Sequence, residues 1–276
     1  MTSIKRIFFA LALGITISSC YHETIHVSDE VSIREYDFGN FTALSVAAGF
    51  KAYVTFSDTE ESVRIKANDN LFKKIKIYKE GGKLTVTLKD VNIRGKETLQ
   101  LFITMKEIRD FNASSDAAIF LDDPLEATDV TIDLSSNAYF KGDITANYFE
   151  LRASSDGTAE LYLDANRTYM NLSSNAKVEG QIETQEATLK LTSDGTIDAV
   201  GRMDDLKASL SSGSGLKDYG LQVEDLEISL SSDSDAYLTV SKSIDVTASS
   251  GARLFYKGDA EIVRQVLSTD GRVIKK

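Results

Sequence analysis

The sequence has 276 residues and a mean hydropathy of −0.16, with 42 acidic against 31 basic side chains and a formal net charge of −11. A nucleic-acid-binding protein needs a concentrated basic surface, and only the terminal pair Lys275-Lys276 stands out here, so that class is excluded. The chain can bury a large core, and after its first apolar segment it has no second run that could cross a membrane.

The chain begins with the features of a secretory signal peptide. Lys5 and Arg6 precede an apolar run from Ile7 to Ile17, which is too short for a permanent membrane helix. The next tetrad, Ile17-Ser18-Ser19-Cys20, resembles the lipobox of bacterial lipoproteins, in which the cysteine is acylated and becomes the first mature residue. The sequence therefore predicts cleavage of residues 1–19 and a lipid anchor on Cys20 in the bacterial cell envelope, with the outer membrane as the expected location.

Cysteine usage agrees with this prediction, because Cys20 is the only cysteine and cannot form an internal disulfide. A leftover free thiol is the alternative interpretation. Loss of Lys5 and Arg6 with the signal peptide leaves 29 basic and 42 acidic side chains, a net charge near −13. Residues 20–35 are polar and are predicted to form a lipidated tether.

Residues 36–112 are predicted to form a β-rich amino-terminal cap. Phe50 to Phe56 and Val63 to Lys66 alternate in polarity, and Ile75 to Lys79 can form a hairpin with Leu84 to Leu88 across Glu80-Gly81-Gly82-Lys83. A third strand is predicted from Thr98 to Thr104. A solenoid needs such a cap because an open sheet edge would template aggregation.

The remaining chain, residues 113–276, contains an internal repeat. A pair of hydroxyl residues, preceded by Leu or Ala and followed by Asp, Asn or Gly, recurs at intervals of 21, 19, 19, 19, 19, 20, 18 and 19 residues. The pairs begin at Ser114, Ser135, Ser154, Ser173, Thr192, Ser211, Ser231, Ser249 and Ser268. Such a fixed period is typical of a protein built from stacked structural repeats.

Apolar residues alternate before each pair, as in Val130, Ile132 and Leu134, which is the periodicity of a β-strand. A second apolar position lies five residues after the first hydroxyl. Its members are Ile119, Phe140, Ala159, Val178, Ile197, Leu216, Ala236, Leu254 and Val273. One coil cannot bury these residues alone, whereas stacked coils share a core. The sequence therefore predicts an all-β fold: a parallel β-helix, or β-solenoid, of about nine right-handed coils.

The second hydroxyl residue of each pair is predicted to point inward at a corner of the coil, where only small side chains fit. This structural ladder comprises Ser115, Ser136, Ser155, Ser174, Ser193, Ser212, Ser232, Ser250 and Thr269. A serine nucleophile is the alternative interpretation.

An outward column follows the ladder. It comprises Asp116, Asn137, Asp156, Asn175, Asp194, Gly213, Asp233, Gly251 and Asp270. Interleaved Asn and Gly keep the carboxylates apart, as a ladder of turn residues would require. Calcium binding is the alternative, but the cation needs six to eight oxygen ligands, and one side chain per coil supplies too few. No metal site and no cofactor are predicted.

Several segments resemble a known family, the putative auto-transporter adhesin, head GIN domain group of bacterial lipoproteins. They are Asp37 to Val46, Asn68-Asp69-Asn70-Leu71, the hairpin end Gly82 to Val86, and the Ser-Ser-Asp/Asn-Gly/Ala coils. The chain departs from the family at Met105-Lys106-Glu107-Ile108, where members commonly carry a proline, and in its serine-rich corners. The resemblance implies a β-helix-like fold and an adhesin role, and it implies no catalytic residues.

Three functions are weighed. The first is a non-catalytic, lipid-anchored binding or adhesion module, with a glycan or a host or matrix protein as partner. The second is a structural or assembly protein of the periplasm. The third is a carbohydrate-active enzyme, which needs two carboxylates roughly 5 to 9.5 Å apart. Asp116 and Asp156 could satisfy that distance, but His22 and His26 are the only histidines and both lie in the predicted tether. The binding module is therefore the preferred function.

Overall fold

A computed structural model describes residues 23–89 and 91–276, so the predicted signal peptide and Cys20 lie outside the described residues. The described chain contains 22 strands and one short 3-10 helix. The strands are β1 Glu23–His26, β2 Val31–Tyr36, β3 Ala43–Ala47, β4 Lys51–Phe56, β5 Ser62–Asn68, β6 Ile75–Glu80, β7 Lys83–Leu88, β8 Val91–Arg94, β9 Leu99–Met105, β10 Asp110–Ser114, β11 Ala118–Leu121, β12 Leu125–Leu134, β13 Tyr139–Ala153, β14 Thr158–Leu172, β15 Lys177–Leu191, β16 Thr196–Leu210, β17 Gly215–Leu216, β18 Leu221–Leu230, β19 Asp235–Ala248, β20 Arg253–Lys257, β21 Glu261–Leu267 and β22 Arg272–Lys275; the helix is Asp69–Lys73. Within this part of the chain, no helix is long and apolar enough to cross a bilayer.

The repeats form stacked parallel coils, which confirms the predicted β-solenoid. Strands β13 to β16 each run for 15 residues, and each pairs in parallel with the next. Phe140 pairs with Ala159, Ala159 with Val178, and Val178 with Ile197. The sequence interval between hydroxyl pairs is therefore the length of one coil. The right-handed winding stays a prediction.

The predicted apolar columns form the core. Val130, Ile132 and Leu134 are buried, as are the members of the second column from Ile119 to Leu254. Val273 lies in the last described coil and is only partly buried. One continuous apolar core therefore runs along the solenoid from the amino-terminal strands to the last coil.

The hydroxyl pairs lie in tight turns, but the predicted inward direction of the second hydroxyl is wrong. Ser115 and Asp116 both have positive φ, +53° and +62°, and the Ala117 amide donates to the Ser114 carbonyl. This is the pattern of a type I′ turn. Two successive left-handed residues interrupt the strand alternation, so the second hydroxyl of every pair is exposed. The inward position falls two residues later, as at Ala138, where the side chain is buried.

The amino-terminal part is more closely joined to the solenoid than predicted. Strands β3 and β4 form a coil that pairs in parallel with β10 and β11 on one side and with β7 and β9 on the other. Their turn is Ala48-Gly49, with φ of +60° and +74°, and it lacks the hydroxyl pair that marks the later turns. The stacked coils therefore begin before the predicted boundary at residue 113.

Antiparallel strands cover the outer edge of this first layer. The predicted hairpin is present as β6 and β7, and β5 pairs with both β2 and β9. Strand β1 pairs in parallel with β8. Residues 23–26 and 31–35, which were predicted as tether, are thus paired in sheets because their backbone groups satisfy the open edges of the cap.

Candidate binding faces

The turns align in a file along the solenoid. Nine ladder residues share a φ between 45° and 54°: Ser115, Ser136, Ser155, Ser174, Ser193, Ser212, Ser232, Ser250 and Thr269. The amide of the following residue donates to the ladder carbonyl of the next coil, as from Asp116 to Ser136 at 2.9 Å and from Asn137 to Ser155 at 2.9 Å. The same bond joins Gly49 to Ser115 and continues as far as Gly251 and Thr269. The ladder residues therefore connect coils through their backbones, while their hydroxyls face solvent.

The Asp, Asn and Gly column lies on the outside of the turns. Asn137 Nδ2 donates to Asp116 Oδ1 at 3.1 Å, and Asn175 Nδ2 donates to Asp156 Oδ1. A Cβ built on Gly213 would lie 2.4 Å from Asp194 Oδ1, so glycine leaves room for that carboxylate. Each aspartate thus meets a neutral neighbour in the next coil. Among residues 23–89 and 91–276, no group of three or more His, Cys, Asp or Glu side chains is placed to hold a metal ion.

A second outward column carries aromatic rings, and we call it the aromatic face. Phe102, Tyr53 and Phe120 occupy equivalent positions on β9, β4 and β11. Their rings stack with centroid separations of 5.4 and 5.3 Å, both at an interplanar angle of 16°. The next four positions along this column, one on each following strand, are charged: Lys141, Glu160, Glu179 and Asp198. The sequence gives no indication of this stack because its rings come from strands that are not consecutive.

The aromatic face ends in a second stack near the carboxy terminus. The rings of Tyr237 and Phe255 are parallel, 4.6 Å apart, and Tyr219 packs edge-on against Tyr237 at 5.4 Å. Lys257 Nζ lies 4.3 Å from the centre of the Tyr219 ring. Arg253 donates to both carboxylate oxygens of Asp235 beside the stack. Cations and rings are therefore held together at this end of the face.

Between the two stacks, a polar cluster fixes the orientation of Tyr139. The Tyr139 hydroxyl donates to Glu160 Oε2 at 2.6 Å, and Lys141 Nζ donates to Glu160 Oε1 at 2.6 Å. Burial, and then the hydrogen bond to Glu160, raises the pKa of Tyr139 above its ordinary value. The hydrogen bonds from Lys141 and Tyr139 hold the pKa of Glu160 below its usual range. The phenol therefore stays protonated and acts as a fixed donor.

The described chain also contains shallow grooves on other faces. One of about 380 Å³ is lined by acidic side chains that include Glu186, Asp205 and Asp225. A glycosidase would need a carboxyl of raised pKa beside a second carboxylate in such a groove. Burial, and then the neighbouring Asp123, raises the pKa of Asp122, but that residue lies in the loop after β11, several coils away. Asp122 therefore cannot pair with a carboxylate of this groove.

One family of known proteins matches most of this chain. The family described as "Putative auto-transporter adhesin, head GIN domain" matches residues 40–181 and 162–260. No protein with curated annotation matches the sequence significantly.

Solved structures share the fold over 92% of this chain. A putative adhesin from Parabacteroides merdae is 16% identical with a TM-score of 0.67 over 99% of its length. A putative lipid binding protein from Parabacteroides distasonis is 15% identical with a TM-score of 0.72 over 100% of its length. A putative adhesin from the same species is 16% identical, also with a TM-score of 0.67. At these identities the likeness is one of fold alone.

Proposed function

Because the chain belongs to the putative auto-transporter adhesin, head GIN domain family, we propose that it is a non-catalytic adhesion module whose aromatic face binds a ligand outside the cell. The observation that carries this proposal is the outward placement of two aromatic stacks on one rigid sheet face. Soluble domains usually bury such rings. Contiguous outward rings are typical of binding surfaces.

The geometry of the face favours an extended ligand. Each ring is only partly buried, and its position is fixed by the neighbouring ring and by the parallel pairing of its strand. Rigid aromatic side chains contribute contact area at little cost in conformational entropy. The charged column between the stacks can supply hydrogen bonds along the solenoid axis.

We infer that the ligand is a glycan. Sugar rings combine apolar C–H faces with hydroxyl groups, so they match a surface that alternates aromatic stacks with fixed polar groups such as Tyr139 and Lys141. A host or matrix protein is the other partner considered.

The experiment is an array of glycans and matrix proteins probed with the mature protein. Tyr53→Ser and Tyr237→Ser each interrupt one stack, and we expect them to weaken glycan binding by at least about tenfold, because loss of a central aromatic contact costs about 2 kcal/mol. Tyr162→Ser is the matched control, since Tyr162 is 54% exposed, lies two residues after Glu160 on β14, and belongs to neither stack. Equal loss in all three variants, or binding only to a protein, would overturn the glycan assignment.

We further propose that the mature chain is lipid-anchored through Cys20 in the outer membrane. The signal segment with its basic flank and the lipobox-like tetrad support this anchor. Mass spectrometry of the native protein should find an acylated amino-terminal peptide starting at Cys20. Cys20→Ser should remove the acyl mass and release the protein from the membrane fraction.

The side of the outer membrane on which the protein lies distinguishes adhesion from a structural or assembly role in the periplasm. Added protease should degrade the protein on intact cells if it is displayed outside. Protection in intact cells, followed by degradation after the envelope is opened, would instead favour a structural or assembly role in the periplasm.

A further experiment tests the absence of catalysis. Incubation of the protein with the glycans of the array should give no cleavage product, and the appearance of a product would contradict the non-catalytic proposal.

A further inference from the structure

One segment of this acidic protein is strongly basic. Residues 73–96 contain eight Lys or Arg side chains and two acidic ones, whereas the whole chain carries a net charge of −11. The eight are Lys73, Lys74, Lys76, Lys79, Lys83, Lys89, Arg94 and Lys96. We call this segment the basic hairpin surface, since most of it lies on β6, β7 and β8.

The basic hairpin surface lies at the outer, amino-terminal end of the solenoid. Strand β7 stacks beyond β3, and β6 continues the sheet beyond β7. All eight side chains except that of Lys74 are exposed. Lys74 pairs with Glu23, and Lys79 donates to the Gly39 carbonyl. The other six form no ion pair with the residues that the structure describes, so their charge is available to a partner.

The chain reaches this same end from the predicted anchor. Strand β1 pairs with β8, with Glu23 opposite Val91 and His26 opposite Arg94. Cys20 precedes Glu23 by three residues, and three extended residues span at most about 10 Å. A lipid on Cys20 would therefore hold the basic hairpin surface close to the bilayer.

Exposed apolar side chains accompany the cations. Tyr78 on β6 is 48% exposed, and Ile33 on β2, an edge strand of the same layer, is 58% exposed. Tyrosine is enriched at the level of lipid headgroups. The acidic loop with Asp58, Glu60 and Glu61 joins β4 to β5, and Glu61 reaches Gly39, whose carbonyl also accepts from Lys79. The exposed cations that point away from this contact therefore favour the hairpin as the side of the cap that meets a membrane.

We propose that the basic hairpin surface docks onto the anionic lipid headgroups of the bilayer as a second membrane contact. The docking rests on the lipid anchor of the proposed function and adds to it, because each Lys or Arg near anionic headgroups contributes about 1 kcal/mol. The contact orients the solenoid, with its cap on the lipid and its carboxy-terminal coils pointing away. The carboxy-terminal stack of the aromatic face, Tyr237 and Phe255, is thereby presented at a distance from the membrane.

The test uses the chain from residue 23 to 276, which carries no lipid. This span contains all the strands of the described residues and the continuous apolar core that they share. The chain is sedimented with vesicles of phosphatidylcholine, with or without phosphatidylglycerol. We expect binding only to the anionic vesicles and a loss of binding as salt rises.

Two triple variants localise the contact. Removal of Lys73, Lys76 and Lys89 by substitution with Gln should weaken vesicle binding roughly a hundredfold, at about fivefold per cation. The matched control removes the same charge at the far end of the solenoid. It consists of Arg272→Gln, Lys275→Gln and Lys276→Gln, all exposed in the last coil, and it should leave vesicle binding within about twofold.

Three outcomes would overturn the proposal. They are absence of binding to anionic vesicles, an equal loss in the control triple, and full competition by free inorganic phosphate, which would indicate a small-anion site instead of a membrane contact. Because the tested chain lacks Cys20, none of these outcomes depends on acylation. The mass spectrum of the native protein decides the anchor separately.

Discussion

Gly213 tests the physical basis of the outward Asp, Asn and Gly column. It lies between Asp194 of the preceding coil and Asp233 of the next, at a φ of +75°. Gly213→Asn would extend the alternation of Asp and Asn seen from Asp116 to Asp194, whereas Gly213→Asp would place three carboxylates in a row. Both substitutions add a side chain of nearly equal size against Asp194, so the steric strain cancels in their comparison.

The difference in stability follows from the coil spacing. Two charges about 4.8 Å apart in a water-like dielectric repel by about 0.9 kcal/mol, so two neighbours cost about 2 kcal/mol. The Asn variant can donate to Asp194 as Asn175 does to Asp156, which adds about 1 kcal/mol. We therefore expect Gly213→Asp to be about 2 to 3 kcal/mol less stable than Gly213→Asn near neutral pH.

The assay is urea unfolding followed by circular dichroism at low and high salt. Salt near 1 M reduces the Debye length to about 3 Å and should remove most of the charge contribution. Equal stability of the two variants at low salt and neutral pH would refute the electrostatic explanation of the column.

Three further predictions concern the core, a close backbone approach and the polar cluster. Phe149→Ala removes a fully buried ring and should lower the free energy of unfolding by about 3 to 5 kcal/mol in calorimetry, whereas a loss below about 1 kcal/mol would contradict the shared core. Gly180→Ala should cost at least about 3 kcal/mol, because φ is +122° and the new Cβ would lie 2.0 Å from the Leu161 carbonyl oxygen. Gly81→Ala is the control: its φ of +57° also strains alanine but its surroundings are open, so it should cost only about 1 to 2 kcal/mol. Glu160→Gln should lower the pKa of Tyr139 in an ultraviolet titration, although burial keeps it raised, and an unchanged titration would contradict the role of the carboxylate. The folded protein holds the pKa of Glu160 below its unfolded-state value, so the Glu160 carboxylate stabilises the fold above the unfolded-state pKa. This stabilisation is lost as the pH falls through the pKa of Glu160 in the folded protein, and the loss should be absent in Glu160→Gln.

The coils could be predicted from the sequence because their chemistry repeats. Positions such as Phe140 and Val178 recur at coil length and alternate with polar residues, and both properties follow directly from parallel stacking. The predicted hairpin across Gly81-Gly82 is confirmed for a similar reason, since its turn residues and flanking strands are local in the chain.

The direction of the ladder hydroxyls could not be found by extending the strand period. Ser115 and Asp116 adopt left-handed conformations, and side-chain alternation does not continue through such a pair. Ser214 and Ser234 carry the inward hydroxyls instead, and they donate to the Leu191 and Leu210 carbonyls. The small residue that recurs two places after each ladder position is the feature of the sequence that indicates the inward position.

The stacking of the first layer could not be predicted from the sequence because the spatial order of its strands differs from their order in the chain. Strands β7 and β9 follow β3 and β4 in the sequence but stack before them. The stack of Phe102, Tyr53 and Phe120 depends on this rearrangement, so the spacing of those residues gives no indication of contact. The basic hairpin surface was overlooked because its lysines are interleaved with the apolar residues of β6 and β7.

Hydrogen exchange at the turn amides tests the central claim, which is that the coils are joined in register through their turns. The amides of Asp116, Asn137 and Asp156 belong to exposed residues, yet each donates to a carbonyl of the next coil. We predict that they exchange as slowly as the buried strands, while the amide of Gly82 in the cap hairpin exchanges rapidly. Rapid exchange at the three turn amides, with the strands protected, would contradict the ladder and the alignment of the faces that depend on it.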